Sequence, residues 1–203
     1  MDRGPRVLLI GGSSNIGKST VAARLADSPG WTTVSTDSLA RHPGRPWKTA
    51  PDVVPPHVAE HYLGLDVDEL ITSVLAHYRS LRPMIEYLVR WHAGNDAAAR
   101  LVLEGSAVWP ESLAGMGAPG VTGVWLTGPD ALFEARIHRE SRYDEADPRG
   151  RAMIDKFIGR TLRFNHVMMD EVLRLGLPFV EIGPSTDPRD VAEACAIRAA
   201  PLV

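Results

Sequence analysis

A single cysteine, Cys195, leaves the chain with no internal disulfide and no cysteine-based zinc site, a thiol usage that suits a reducing compartment. In its Ala-rich surroundings Cys195 reads as a small apolar packing residue. Long apolar runs are missing as well. The N-terminal segment offers only Val7-Leu8-Leu9-Ile10 before Gly11-Gly12, too short for a signal-peptide core or a membrane span, so a soluble protein of the cytoplasm is expected. Charge of one sign is not in excess either. With 22 basic and 25 acidic residues the net charge is −3, which gives no reason to expect nucleic acid or an acidic membrane surface as partner. Lysine is scarce, three of the 22 basic residues, but the arginine excess carries no function by itself. There is no internal repeat and no low-complexity tract. The 203 residues fit one α/β domain with a full core and room for a small inserted lobe, as a monomer or homodimer.

What is present begins at Gly12. Gly12-Ser13-Ser14-Asn15-Ile16-Gly17-Lys18-Ser19 fits GxxxxGK[ST] between an apolar run and the helix-forming Val21-Ala22-Ala23-Arg24-Leu25-Ala26. Strand, glycine-rich loop and helix in that order make a polyphosphate cradle. Loop amides and the helix N-terminus favour negative charge; Lys18 reaches the β- and γ-phosphates, and the Ser19 hydroxyl is placed to ligate Mg²⁺. Thr20 follows directly and belongs to the same cradle.

The remaining pattern alternates strands with helices. A first strand is expected at about residues 6–10, a helix from Gly17 to about Asp27, and a second strand over Trp31–Ser35 that ends at Thr36-Asp37. From Arg41 to Pro56, five prolines and Gly44 predict a loop able to cover or line a site. Asp66 with Glu69 has capping-box spacing and opens a helix that Pro83 breaks or kinks before the apolar stripe resumes to about Trp91. Strands follow at Leu101–Leu103, Val121–Leu126 and Phe179–Ile182. Helices are expected from Asp130 to about Tyr143, from about Met153 toward Leu175 after a polar loop at 143–150, and over 188–199 behind an Asp187-Pro188 start signal. Such alternation implies a parallel sheet covered on both faces, whose ligands bind at the carboxyl ends of the strands.

The residues just past those strand ends are the candidates for chemistry. Asp37 follows the second strand and could activate a phosphoryl acceptor or ligate metal; it could equally form an Asx turn or cap the next segment. Glu104 ends a buried strand, where an acid meets Mg²⁺ directly or through water. Asp37 and Glu104 could exchange roles. Arg136, Arg139 and Arg142 recur every three residues beside a polar loop with Arg149 and Arg151, an array able to clamp migrating phosphates or simply a solvated face. Arg41, Arg45, Trp47 and Lys48, then Arg79, Arg82, Arg90 and His92, are candidates for an acceptor pocket. His57, His61 and His77 lack metal-ligand spacing and read as ordinary polar residues, while Trp109, Trp125 and Met168-Met169 read as packing.

Gly11 to Thr20, Val34-Ser35-Thr36-Asp37-Ser38-Leu39 and Leu103-Glu104-Gly105 together resemble the small P-loop kinases of the nucleoside-monophosphate-kinase-like group. Among these the resemblance runs to the 2-phosphoglycerate-kinase-like and chloramphenicol-phosphotransferase-like proteins. It implies an α/β P-loop NTPase three-layer sandwich, with a five-stranded parallel sheet, helices on both faces and an Arg-containing lid. It also implies ATP with Mg²⁺ and transfer to a hydroxyl of a small molecule, with an anionic acceptor among the options. On this scheme residues 1–203 form one domain with an acceptor-binding insertion at about 38–95 and a lid at about 136–165. Lys18, Asp37, Arg136 and Arg139 would be catalytic, with Ser19, Glu104 and Asp37 as candidate metal ligands. Two other readings share the loop: a nucleotide or nucleic-acid 5′-kinase, and a non-catalytic ATP-dependent switch.

Overall fold

The computed structural model describes residues 5–40, 42–47, 53–113 and 116–201. In chain order its elements are β1 (Val7–Gly12), α1 (Lys18–Ala26), β2 (Trp31–Ser35), α2 (Pro56–Gly64), α3 (Val67–Gly94) and β3 (Arg100–Glu104). Then come α4 (Pro110–Leu113), β4 (Val121–Thr127), α5 (Asp130–Ser141), α6 (Pro148–Arg174), β5 (Phe179–Glu181), α7 (Pro188–Arg198) and β6 (Ala200–Pro201). Five parallel strands stand in the order β2-β3-β1-β4-β5, so the strand that feeds the glycine-rich loop is central. The two-residue β6 adds an antiparallel pairing with Thr122 and Gly123 of β4.

The period of two along β1 divides the core into two layers. Leu8 and Ile10 pack with Val21 and Ala22 of α1, Phe133 of α5 and Val191 of α7; Val7 and Leu9 pack under Val74, Ile85 and Val89 of α3 and Met168 of α6. Because both faces are covered, every residue of β1 and β4 is buried, and both read in sequence as runs rather than alternations. Each such Leu or Ile contributes about 1.5–3 kcal/mol through removal from water.

Three elements depart from the sequence expectation. Pro83 does not end its helix: α3 runs unbroken for 28 residues with Pro83 inside. Pro83 and Arg79, one turn before it, are both exposed, so the carbonyl that loses its N–H partner can be hydrated, while Leu81, Ile85 and Val89 hold the opposite face to the sheet. α6 begins at Pro148, inside the expected polar loop, because the Asp147 carboxylate caps it by accepting from the Gly150 N–H at 2.6 Å. The Asp-Pro signal is the one that starts α7. α2 has no apolar periodicity strong enough to announce it and is held by burial of Val58, Ala59 and Tyr62.

One close approach shapes the carboxyl edge. Gly105 has φ +150°, and a Cβ there would lie 1.8 Å from Thr36 Oγ1, so only glycine lets the turn after β2 sit against the end of β3. Gly105→Ala is expected to cost about 2 kcal/mol or more, lowering Tm by about 4–8 °C in a thermal melt.

Candidate active site

Past β1 the chain turns through residues 13–17 into α1, with Asn15 at φ 64° and Gly17 at φ 105°. Such left-handed positions let successive N–H groups converge on one anion, and the amides of residues 14–19 enter no turn, loop or cap hydrogen bond among the described residues. They are free for phosphate oxygens. Arg136 braces the loop from outside, its guanidinium donating to the carbonyls of Asn15 (3.1 Å) and Ile16 (2.8 Å); burial lowers its pKa, with Arg139 acting the same way. The Ser13 hydroxyl ties the loop to α6 by donating to the Thr161 carbonyl at 2.8 Å.

Lys18 is only 8% exposed, and its ammonium donates to the Ser13 carbonyl at 2.9 Å and the Ser106 hydroxyl at 3.3 Å. Burial pushes its pKa down, while Glu104 and then Asp37 pull against that shift. A cation held this way lacks a full counter-charge until an anion arrives. Ser19 Oγ donates to Glu104 Oε1 at 2.9 Å, and Glu104 is buried at the end of β3. Strand register sets this meeting, since Glu104 lies level with Ile10 of β1 and Ser35 of β2.

Among the described residues no group of three His, Cys, Asp or Glu side chains could cage a metal alone. The Ser19–Glu104 pair instead offers two hard oxygens, a donor set that fits Mg²⁺ completed by phosphate oxygens and water.

Asp37 sits in a 3₁₀ turn, Thr36–Ser38, and is exposed. The cap of that turn is Ser35, whose hydroxyl accepts from the Asp37 N–H at 3.3 Å; the Asp37 carboxylate makes no hydrogen bond among the described residues. It lines a cleft of about 890 Å³ together with the loop, Glu104, Arg139, Tyr78 and Arg160. Glu140, also on the cleft lining, accepts from the Arg45 guanidinium and from the Asn15 side-chain Nδ2.

Other candidates separate. Arg45 lines the cleft, but Trp47 is buried edge-on against Phe157 with ring centroids 4.9 Å apart and presents no open face. Arg142 points away toward Glu145, and Arg151 holds the turn between α5 and α6 through the carbonyls of Asp144 and Ala146. Arg82 pairs with Glu86, Arg79 and Arg90 are exposed outside the cleft, and His92 is buried on the Ala99 carbonyl. Arg41 and Lys48 lie outside the described residues. Trp109, Trp125 and Met168-Met169 are packing residues in the structure.

Sequence reasoning passed over His42, Tyr78 and Arg160 as cleft residues. For Arg160 a signal existed: it stands on the apolar stripe of α6, three residues after Phe157 and four before Phe164. His61 and His77 are not unconnected surface groups, because both gather around His42, with ring centroids at 4.9 and 5.3 Å. Burial first, then Arg160, His61 and His77, lower the His42 pKa to about 3. His42 protonates in the unfolded chain near 6.5 but resists protonation in the folded one, so stability present above pH 6.5 is lost as pH falls toward 3. Tm is expected to drop between pH 7 and pH 5, and His42→Gln should drop less over the same interval.

The sheet order and loop define the α/β P-loop NTPase fold. Among solved structures the chain is similar to a sugar kinase from a Janibacter species, at 18% identity and a TM-score of 0.54 over 96% of this chain and 94% of that one. It is also similar to shikimate kinase from Aquifex aeolicus, at 16% identity and a TM-score of 0.50 over 95% of each chain. No protein-family model and no curated protein matches the sequence.

Proposed function

We propose that this protein is an ATP- and Mg²⁺-dependent kinase that moves the γ-phosphoryl group to a hydroxyl of a small molecule. One observation carries the reading: Lys18, the Ser19–Glu104 pair and an unengaged Asp37 carboxylate share one cleft that continues past them to Tyr78 and Arg160. A switch ATPase needs no such extension. The two fold neighbours named above, a sugar kinase and a shikimate kinase, support a small acceptor, and the sequence likeness to 2-phosphoglycerate-kinase-like and chloramphenicol-phosphotransferase-like proteins stays within this proposal. No described helix is long and apolar enough to cross a membrane.

In this scheme the loop amides of residues 14–19 bind the polyphosphate, and Lys18 neutralises charge on its outer phosphates. Ser19 and Glu104 would hold Mg²⁺, which when bound supplies further charge neutralisation at the phosphate oxygens. Asp37 orients the acceptor hydroxyl and takes its proton; Arg139, which lines the cleft and has no hydrogen bond or salt bridge among the described residues, would stabilise charge on the migrating group. Arg136 keeps the loop in shape through its two carbonyl contacts. Catalysis is mainly positioning and electrostatics.

The test is ADP release in the presence of MgATP and a panel of sugars, hydroxy acids, phosphorylated acids, nucleosides and antibiotics. Stimulation by one acceptor class is expected. Slow hydrolysis indifferent to every hydroxyl compound would overturn the assignment in favour of a switch. Glu104→Gln should leave the fold intact and raise the Mg²⁺ concentration needed for half-maximal rate at least about tenfold.

A further inference from the structure

Arg160 is a buried cation, 6% exposed, on the cleft wall where α6 faces α2 and α3. Its guanidinium lies over the Phe157 ring at 4.5 Å and the Tyr62 ring at 5.7 Å and hydrogen-bonds the Tyr62 hydroxyl, a neutral partner that leaves the charge unbalanced, and it enters no salt bridge among the described residues. Cation–π contacts return about 0.5–2 kcal/mol, less than the several kcal/mol that burying an uncompensated ion costs. Leucine or methionine would pack against the same rings without that penalty. The charge therefore answers to something outside the fold.

The surroundings point the same way. His42 Nδ1 and His61 Nε2 are buried with no hydrogen-bond partner, two unmet polar atoms on rings 4.9 Å apart. The side chains whose shifts trace in part to Arg160 are His42, His61, Tyr62 and Tyr78, none of them a carboxylate. Burial first and Arg160 second lower both histidines, as an unanswered positive field does. Tyr78 links this pocket to the phosphate end: it bonds Ser106, whose hydroxyl also receives Lys18. Asp37 and Arg160 line the same cleft, so a single acceptor can meet both.

We infer that the acceptor carries an anionic group, a carboxylate or a phosphate monoester, which seats on the Arg160 guanidinium with His42, which lines the same cleft, adding a hydrogen bond. The inference rests on the kinase reading for the identity of the ligand as acceptor, but the anion site itself does not. A planar guanidinium suits two-oxygen anions, so a neutral polyol should bind far more weakly.

Calorimetry tests it on the full chain loaded with a non-hydrolysable ATP analogue and Mg²⁺, and again on the nucleotide-free chain. The probes are a small hydroxy-carboxylate, a sugar phosphate and the corresponding neutral sugar. Saturable binding is expected for at least one anion and not for the neutral sugar, with the two anionic arms deciding between carboxylate and phosphate. Arg160→Met should weaken that binding at least about 30-fold and leave nucleotide affinity unchanged, while Arg160→Lys recovers part of the loss. The Arg160→Met protein should melt no lower than wild type without ligand, since it sheds an uncompensated charge. Absence of anion binding to wild type in both states overturns the inference, as does an Arg160→Met loss that falls on the nucleotide instead. Nucleotide saturation without anion binding sinks only this inference; anion binding without nucleotide saturation sinks only the kinase reading.

Discussion

Lys18→Ala is expected to lower phosphoryl transfer by about 10³-fold or more and to weaken MgATP binding strongly, measured by coupled ADP release and by calorimetry. The ammonium is buried against the Ser13 carbonyl and Ser106, and its proton is held against a desolvation that only an incoming anion fully offsets. Lys18→Met keeps the stem and removes the charge, so it separates packing from electrostatics. A cooperative melt near the wild-type Tm with activity lost is the expected pair of results. Retained nucleotide affinity in both variants would remove Lys18 from the phosphate site.

Asp37→Asn should reduce transfer by about 10²–10⁴-fold while nucleotide affinity stays as in wild type. The amide keeps the size and cannot take a proton. Because Ser35 and not Asp37 caps the turn, the substitution breaks no hydrogen bond of the described fold, so stability should not move. Full activity in Asp37→Asn would pass the role of base to another group, and Glu104 is already engaged by Ser19.

Legibility followed the range of the interactions. The loop from Gly12 to Ser19 and the capping box at Asp66 and Glu69 were readable because their physics is contained in fewer than ten consecutive residues; the box forms with both bonds at 2.9 Å. Of the two outcomes open at Pro83, the break does not occur, because the missing N–H falls on a helix face that water can serve. Trp47 misled: an aromatic in a proline-rich loop looks like a ligand platform until Phe157, from a distant helix, covers it.

Composition and spacing by themselves determined the strand–loop–helix unit at the chain start, the alternating order that makes a parallel sheet, and the set of residues that end on its carboxyl edge. Backbone preference, capping and hydrophobic period act within a few residues and survive in a bare string. Tertiary structure alone decided that Ser19 meets Glu104 across 85 positions, that Arg136 grips loop carbonyls while Arg142 turns outward, and that three histidines gather near Arg160, which forms no salt bridge among the described residues. Those outcomes depend on strand register and on which helix faces close over the cleft, and no local pattern encodes either.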